Sequence, residues 1–304
     1  MSLLRRATGR AYFGLQAVSG ALWWVLVPTV EPVRIATLGR LDPLLVGAFD
    51  VPLFVLASAL VAVGIRRAIW VVTPWTLLVT AGMVLYATLT GAAGWGAVAM
   101  LAASAGSVGA ALLVQWDRIP VERSLIGPLA FRPARGAAAS RPLLLTVAQL
   151  LVFWALFLVV IPLPAIWLER RWGLTAPLPD GLGQAAMGGG VLLLVAASAL
   201  GLACAVTMAR IGRGTPLPGA MAHRLVIAGP YRRVRNPMAV AGVAQGVAVG
   251  LLGTSWLVIV YALAGGVLWH LLVRPLEEQD LASRFGADYQ RYRSTVRCWV
   301  PGAP

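Results

Sequence analysis

The chain has no lysine, few acidic residues and very little histidine or cysteine. Its 25 basic residues are all arginine, against 11 acids, two histidines and two cysteines in 304 residues. Cys204 and Cys298 are too few to form a disulfide framework. With them, His223 and His270 give no His/Cys spacing of the kind that binds zinc. We therefore expect free thiols and no metal site.

Charged residues of either sign are scarce. They make up 12% of the chain, hydrophobic residues make up 59%, and the mean hydropathy is +0.81. An average soluble domain is about 25% charged, so this composition excludes a water-soluble globule and predicts an integral membrane protein. The net charge of +14 does not indicate a nucleic-acid partner, because the arginines lie in short loops between apolar runs and not on one polar face.

Long apolar runs recur along the chain. A helix needs about 20 apolar residues to cross a hydrocarbon core of about 30 Å. The runs predict an all-α, polytopic transmembrane protein with about eight membrane segments. These lie near residues 11–30, 48–65, 73–90, 94–116, 142–168, 183–209, 237–253 and 256–273.

The arginines are distributed unequally between the two sides of the membrane. If the segments alternate, one side receives 21 arginines, and the other receives only Arg34, Arg40, Arg170 and Arg171. The positive-inside rule then places both termini in the cytoplasm. Arginine-only, alanine-rich usage is typical of a GC-rich bacterial genome, so we expect a bacterial cytoplasmic membrane.

A polar stretch at 117–141 divides the chain. We interpret it as a cytoplasmic linker between an amino-terminal four-helix membrane domain, residues 1–116, and a second membrane domain, residues 142–304. The first domain offers one acid near the membrane, Asp50, and no signature of chemistry. Because Asp50 lies at the predicted edge of its segment, we expect water or lipid headgroups to solvate it.

The second domain carries the residues that indicate chemistry. The loop Gly229–Pro237 holds three arginines and ends at a proline suited to the first turn of a helix. Only Gly253, Thr254 and Ser255 separate the next two segments, so these segments form a tight hairpin. The hairpin returns Glu277 and Glu278 to the membrane face of the loop.

The residues after the last segment form an amphipathic pattern. Leu281, Phe285, Tyr289 and Tyr292 recur at helical spacing, which predicts an interfacial helix. Glycine recurs every four residues on the first arm of the hairpin, at Gly242, Gly246 and Gly250. The four-residue spacing of these glycines favours close packing against a neighbouring helix.

Together these motifs resemble the integral-membrane methyltransferases that include isoprenylcysteine carboxyl methyltransferases and phospholipid N-methyltransferases. The resemblance covers roughly 141–304. It rests on His223, Leu225-Val226, Gly229-Pro230-Tyr231, Arg235-Asn236-Pro237, Glu277-Glu278, Phe285-Gly286, Tyr289 and Tyr292, in the family's order. Two positions depart from the pattern: Asn236 replaces the usual histidine and Ala239 a frequent tyrosine. Asparagine does not titrate near neutral pH.

The resemblance implies methyl transfer from S-adenosylmethionine to a lipophilic acceptor that enters from the bilayer. It implies Arg235 and Glu278 as catalytic residues. The implied cofactor-binding residues are His223, Leu225, Gly229, Tyr231, Arg235, Asn236, Pro237, Glu277 and Glu278. Among these, Glu277 or Glu278 would hold the cofactor's ammonium or ribose, His223 and Tyr231 would pack near adenine, and Arg235 would orient a carboxylate of the acceptor or of the cofactor.

Three acceptor groups remain open from the sequence: a carboxylate, an amine and a thiolate. Two other functions also remain open, an NADPH-dependent reductase of a lipid double bond and a non-enzymatic lipid-binding or transport protein. Besides the acceptor, we expect membrane lipids as partners. The sequence does not indicate an oligomeric state or a role for the amino-terminal helices.

Overall fold

The structure is a computed structural model that describes residues 2–121, 142–176, 179, 181–212 and 223–301. Within these residues all regular structure is helical. The helices are α1 (Ser2–Thr29), α2 (Glu31–Thr37), α3 (Pro43–Asp50), α4 (Ala57–Ala62), α5 (Ile69–Thr90), α6 (Gly94–Trp116), α7 (Pro142–Trp154), α8 (Pro162–Arg171), α9 (Leu182–Thr207), α10 (Pro237–Leu252), α11 (Trp256–Leu268) and α12 (Arg274–Thr295). Most of the predicted linker, residues 122–141, lies outside the described residues.

Wider π-helical turns join several helices into longer runs. They are Val51–Leu56, Ala155–Val160, Met208–Gly212 and Trp269–Val273. Short 3₁₀ turns form at Arg66–Ala68 and Gly229–Arg232. Through Trp269–Val273, α11 continues directly into α12.

Seven helical runs in the described part of the chain are long and apolar enough to cross a membrane. They are Leu4–Thr29, Pro43–Ala62, Arg66–Thr90, Gly94–Trp116, Thr146–Arg171, Leu182–Gly212 and the apolar start of Trp256–Thr295. The remaining predicted segment is α10, whose 16 residues extend about 24 Å at 1.5 Å per residue. The chain is therefore an integral membrane protein whose described part is all-helical, and the count of eight and the cytoplasmic termini stay predictions.

The chain divides into two compact units. One comprises residues 1–120 with 168–174, and the other comprises 121–167 with 175–304. In the first unit, apolar side chains of α1, α4, α5 and α6 form the core; they include Phe13, Val61, Ile69, Val72 and Val114.

Polar side chains also pack inside the first unit, in hydrogen-bonded groups. Gln16 donates to the Ser58 hydroxyl at 3.0 Å and accepts from Ser107 at 2.8 Å. The Thr80 and Ser104 hydroxyls lie 2.6 Å apart. Such bonds join helices where lipid supplies no hydrophobic drive, each contributing about 0.6 kcal/mol on average.

The expected solvation of Asp50 is wrong. Asp50 is 6% exposed, and its two carboxylate oxygens accept the indole N–H groups of Trp24 at 2.8 Å and Trp75 at 2.9 Å. The segment begins at Pro43, after the helix cap Asp42, and not near residue 48. Asp50 therefore lies two turns inside the helical run.

In the second unit, α10 and α11 form the predicted antiparallel hairpin. A Cβ on Gly246 would lie 2.6 Å from the Ala262 Cβ, and one on Gly250 would lie 2.5 Å from Ile259 Cγ1. The packing role predicted for the glycines is confirmed for these two. Gly242 differs, because a Cβ there would meet no atom within 4 Å.

The backbone of α12 bends sharply at Gly286. Gly286 has backbone angles φ 50° and ψ −124°, which are far from those of a helix. Glycine adopts this conformation readily because it has no Cβ. The predicted amphipathic helix is therefore present but bent, and Tyr289 and Tyr292 lie beyond the bend.

Candidate active site

Glu278 is the centre of a cluster of arginines at the start of α12. Its Oε1 lies 3.1 Å from Arg235 Nη1 and 3.1 Å from Arg274 Nη1. Its Oε2 lies 3.5 Å from Arg293 Nη2. The side chains of Glu278 and Arg235 are 10% and 11% exposed, so a buried carboxylate is surrounded by three guanidinium groups.

Two features of the chain bring Arg274 and Arg235 to Glu278. Arg274 and Glu278 are four residues apart, the spacing at which side chains meet on a helix. The α10–α11 hairpin returns the chain so that Arg235, just before α10, meets Glu278, just after α11. The meeting of loop and acids expected from the sequence is present in the structure.

Arg293 reaches the cluster because of the bend at Gly286. On a straight helix, 15 residues would separate Glu278 from Arg293 by about 22 Å. The bend turns the chain back, so that Arg293 contacts Glu278 and the Tyr292 hydroxyl donates to the Tyr231 carbonyl at 2.6 Å.

Arg235 retains donors for a further partner. Its Nε and Nη1 are buried and make no hydrogen bond of good geometry, although Nη1 is within ion-pair distance of Glu278. A buried donor without an acceptor costs about 1–3 kcal/mol. Three arginines surround Glu278, so the cluster has excess positive charge and favours an anionic ligand such as a carboxylate.

Glu277 differs from its neighbour. It lies beyond the apolar run 256–273, and its side chain is half-buried. Burial, together with the adjacent charge of Glu278, raises the pKa of Glu277 to about 7. A cation placed against this carboxyl would favour its ionised form and lower the pKa.

Buried tyrosines surround the cluster. Tyr231 packs with Cys204 and Val226, while Tyr289 and Tyr292 come from the bent end of α12. Burial raises the pKa of Tyr231 well above its usual value, and the nearby carboxyl of Glu277 raises it further. Burial also raises the pKa of Tyr289 and Tyr292. These hydroxyls are therefore neutral at physiological pH.

The carboxyl-terminal segment holds the backbone of the arginine loop. The Arg235 amide donates to the Arg297 carbonyl at 2.9 Å, and the Asn236 amide donates to the Cys298 carbonyl at 3.3 Å. The Asn236 side-chain amide also donates to Cys298 Sγ at 3.3 Å. One residue further, the Trp299 indole donates to His270 Nδ1 at 2.7 Å.

The structure brings together some of the predicted site residues. Arg235 and Glu278 lie in the cluster, and Tyr231 and Glu277 are next to it. Asn236 and Pro237 shape the start of α10, where Pro237 is buried in the first turn. Gly229 opens the 3₁₀ turn with φ 54°, a conformation that suits glycine.

Two of the predicted cofactor-binding residues, His223 and Leu225, are placed differently. His223 is exposed, and its backbone amide donates to the Gly212 carbonyl at 2.8 Å. Leu225 is half-buried beside the buried Val226. Residues 213–222, which precede His223, lie outside the described residues. The structure does not bring His223 into the arginine cluster.

Sequence reasoning missed Arg274 and Arg293 of the cluster and the contact of Trp299 with His270. The i, i+4 spacing of Arg274 and Glu278 was a usable signal. Arg293 and Trp299 carried none, because their positions depend on the bend at Gly286 and on the path of the tail. Among the described residues, no group of three histidine, cysteine or acidic side chains could hold a metal ion, and both cysteines are free thiols.

The fold and site together define a polytopic helical membrane protein with a buried arginine–carboxylate cluster beside its last apolar hairpin. Residues 185–288 match the family model of phospholipid methyltransferases. The match covers about a third of the chain. It confirms the resemblance seen in the sequence and implies a membrane methyltransferase. No curated protein and no solved structure matches the chain.

Proposed function

We propose that the protein transfers the methyl group of S-adenosylmethionine to a lipophilic acceptor at the cytoplasmic face of a bacterial membrane. The observation that carries this proposal is Arg235, a buried arginine with unsatisfied donors beside a half-buried acid, inside the segment matched by the methyltransferase family. The excess of arginine on one side of the predicted topology supports the cytoplasmic location.

The amino-acid end of the cofactor carries a carboxylate and an ammonium group, and the site offers one partner for each. Arg235 Nε, which has no hydrogen-bond partner, would donate to the carboxylate, while Nη1 stays paired with Glu278. Glu277 would accept from the ammonium. Binding of this cation would keep the Glu277 carboxyl ionised at neutral pH, although its pKa without ligand is about 7.

Glu278 has a different role in this proposal. Arg235, Arg274 and Arg293 already contact its two oxygens, which leaves little capacity for a ligand ammonium. Glu278 would therefore position Arg235 and limit repulsion among the arginines. Of the two acids that the sequence offered for the cofactor, the contacts favour Glu277.

The reaction needs no covalent catalysis by the protein. The cofactor supplies an electrophilic methyl group, which the acceptor attacks in line as the carbon–sulfur bond breaks. Alignment and exclusion of water are the protein's main contributions. The buried tyrosines have raised pKa values and are neutral hydroxyls, so they would orient groups and not remove protons.

The arginine cluster also bears on the acceptor. A carboxylate or thiolate needs no proton removal and is attracted by excess positive charge, whereas a protonated amine is repelled and needs a base. Of the three acceptor groups left open by the sequence, the site therefore favours the two anionic ones.

Calorimetric titration with S-adenosylhomocysteine tests the cofactor site without an acceptor. We expect binding to the detergent-purified protein, a loss of at least tenfold in affinity for Arg235→Gln and for Glu277→Gln, and no loss for Asp288→Asn. Asp288 is the matched control because it is an acid on the same helix, paired with Arg291 and 75% exposed.

The alternatives predict other results. A nicotinamide-dependent reductase would bind NADPH and not S-adenosylhomocysteine, and a lipid-binding protein would bind neither. Absence of S-adenosylhomocysteine binding to wild-type protein with a monodisperse size-exclusion profile would contradict the proposal.

A further inference from the structure

The carboxyl-terminal tail, residues 296–301, follows the end of α12. Its first amide, that of Val296, donates the last helical hydrogen bond of α12 at 3.0 Å. Arg297 and Val300 are exposed. The path of the tail therefore depends on the two half-buried residues that lie between them.

Trp299 anchors the tail to the end of the last membrane hairpin. Its indole N–H donates to His270 Nδ1 at 2.7 Å, and its ring packs edge-on against Trp269, with ring centroids 5.5 Å apart. An indole nitrogen only donates, and a neutral imidazole accepts at the nitrogen that carries no proton. The bond therefore requires a neutral His270 with its proton on Nε2.

The anchored tail in turn holds the arginine loop. The carbonyls of Arg297 and Cys298, directly before Trp299, accept the backbone amides of Arg235 and Asn236 at 2.9 Å and 3.3 Å. A carbonyl on an exposed stretch of chain holds an amide in place only while its own position is fixed. Displacement of the Trp299 side chain would therefore release the backbone from which Arg235 reaches the arginine–carboxylate cluster.

His270 has a second link to the cluster, through its main chain. The His270 carbonyl accepts from Arg274 Nε at 3.3 Å, and Nη1 of the same arginine lies 3.1 Å from Glu278 Oε1. Because this link uses a backbone oxygen, a substitution of the His270 side chain leaves its acceptor in place. Side-chain variants of His270 therefore test the bond to Trp299.

We propose that His270 and Trp299 are positioning residues of the methyltransferase site. Their hydrogen bond fixes the carboxyl-terminal tail, and the tail fixes the backbone of Arg235. This inference rests on the proposed function, in which Arg235 binds the carboxylate of the cofactor. Such a site needs its side chains held to within about 0.5 Å, and the His270–Trp299 bond supplies part of that restraint from outside the cluster.

Four variants separate the hydrogen bond from the packing of the rings. His270→Asn keeps an acceptor, because asparagine Oδ1 is bonded to Cγ as histidine Nδ1 is, whereas His270→Leu removes it. Trp299→Phe keeps an aromatic ring and removes the donor. Trp269→Phe is the matched control, because it changes the ring that packs against Trp299 and leaves the His270–Trp299 bond intact.

A packing role for His270 predicts the opposite order of the two histidine variants. Val243, Val267 and Leu271 line the same apolar surface as His270. Leucine suits these surroundings and is a better helix former than asparagine. A packing role therefore predicts that His270→Leu is tolerated better than His270→Asn, and a positioning role predicts the reverse.

The first measurement is hydrogen exchange of the detergent-purified protein, with fragmentation that resolves the Arg235 and Asn236 amides. Loss of a buried hydrogen bond shifts an opening equilibrium about tenfold. Chain termini open at little cost in free energy, so a tail that is open in about a tenth of wild-type molecules would be open in about half. Exchange of both amides should then accelerate about fivefold in Trp299→Phe and His270→Leu, and not in His270→Asn or Trp269→Phe.

The second measurement is the affinity for S-adenosylhomocysteine, by calorimetric titration of the same samples. With the tail open in about half of the molecules, affinity should fall about twofold in Trp299→Phe and His270→Leu. His270→Asn and Trp269→Phe should bind as the wild type does. Unchanged exchange of the helical amides of α10 in all four variants reports that the hairpin remains folded.

Two results would overturn the inference: unchanged exchange of the Arg235 and Asn236 amides in Trp299→Phe, or cofactor affinity retained in His270→Leu and lost in His270→Asn. Failure of wild-type protein to bind S-adenosylhomocysteine is a separate result, which contradicts the proposed function. The exchange measurement needs no cofactor, so it still decides whether the His270–Trp299 bond positions the loop.

Discussion

Neutralising Glu278 should destabilise the protein more than removing any one of its partners. In Glu278→Gln, three arginines would face one another around a side chain that is 10% exposed. Removing one partner of a buried charge pair costs about 3–5 kcal/mol. Because Arg293 is 49% exposed and well hydrated, we place the cost at the lower end, about 3 kcal/mol.

Removing Arg235 should cost less. In Arg235→Gln, Glu278 keeps Arg274 at 3.1 Å and Arg293 at 3.5 Å, so its charge stays compensated. The loss is one charge-assisted contact, about 1.5 kcal/mol. Since Glu278→Gln already removes that contact, the double variant should lose less than the sum of the two single variants.

The assay is thermal unfolding in detergent, followed by intrinsic fluorescence. At roughly 2–4 °C per kcal/mol, Glu278→Gln should lower Tm by about 6 °C or more and Arg235→Gln by about half as much. Asp288→Asn, in a pair that is 75% and 78% exposed, should change stability by under about 0.5 kcal/mol. Strictly additive losses, or a Glu278→Gln loss no greater than that of Arg235→Gln, would refute a central role for Glu278.

Three further changes test other parts of the structure. Because the pKa of Glu277 is about 7, the ionised fraction of its carboxyl grows as the pH rises. S-adenosylhomocysteine affinity should therefore increase about fivefold from pH 6 to pH 7. If the same increase persists in Glu277→Gln, another group causes the pH dependence. Gly286→Ala, at φ 50°, should cost about 1–3 kcal/mol in thermal unfolding, with Gly265→Ala as the unstrained control. Asp50→Asn should lower Tm by leaving one tryptophan indole without an acceptor, at about 1–3 kcal/mol; an unchanged Tm would contradict the buried position.

The sequence predicted the helices well because lipid imposes one length on every spanning segment. The predicted solvation of Asp50 was wrong because the start of its segment was placed from apolar content alone. Asp42 followed by Pro43 is a capping residue before a first-turn proline, and Asp42 accepts from the Leu44 and Leu45 amides. This local signal would have moved the start to residue 43 and placed Asp50 inside the helix.

For the site, the order of motifs along the hairpin predicted which residues meet, because a three-residue turn permits only one return path. The order of motifs did not predict which arginines pair with Glu278. On a straight helix Arg293 would lie far from Glu278, and the backbone conformation of Gly286 brings the two side chains together. A glycine followed by polar helix is compatible with a straight or a bent chain, so the pattern alone could not select the bend.

The arrangement around Asn236 bears on the departure that this chain makes at that position. A histidine there could exchange protons, whereas Asn236 donates its side-chain amide to Cys298 and its backbone amide to the Cys298 carbonyl. The residue therefore fastens the tail that carries Trp299 to the loop that carries Arg235. In a methyl transfer that depends on alignment, an anionic acceptor needs no proton removed at this position. A side chain that holds the loop is then sufficient, and loss of the titratable group is compatible with activity.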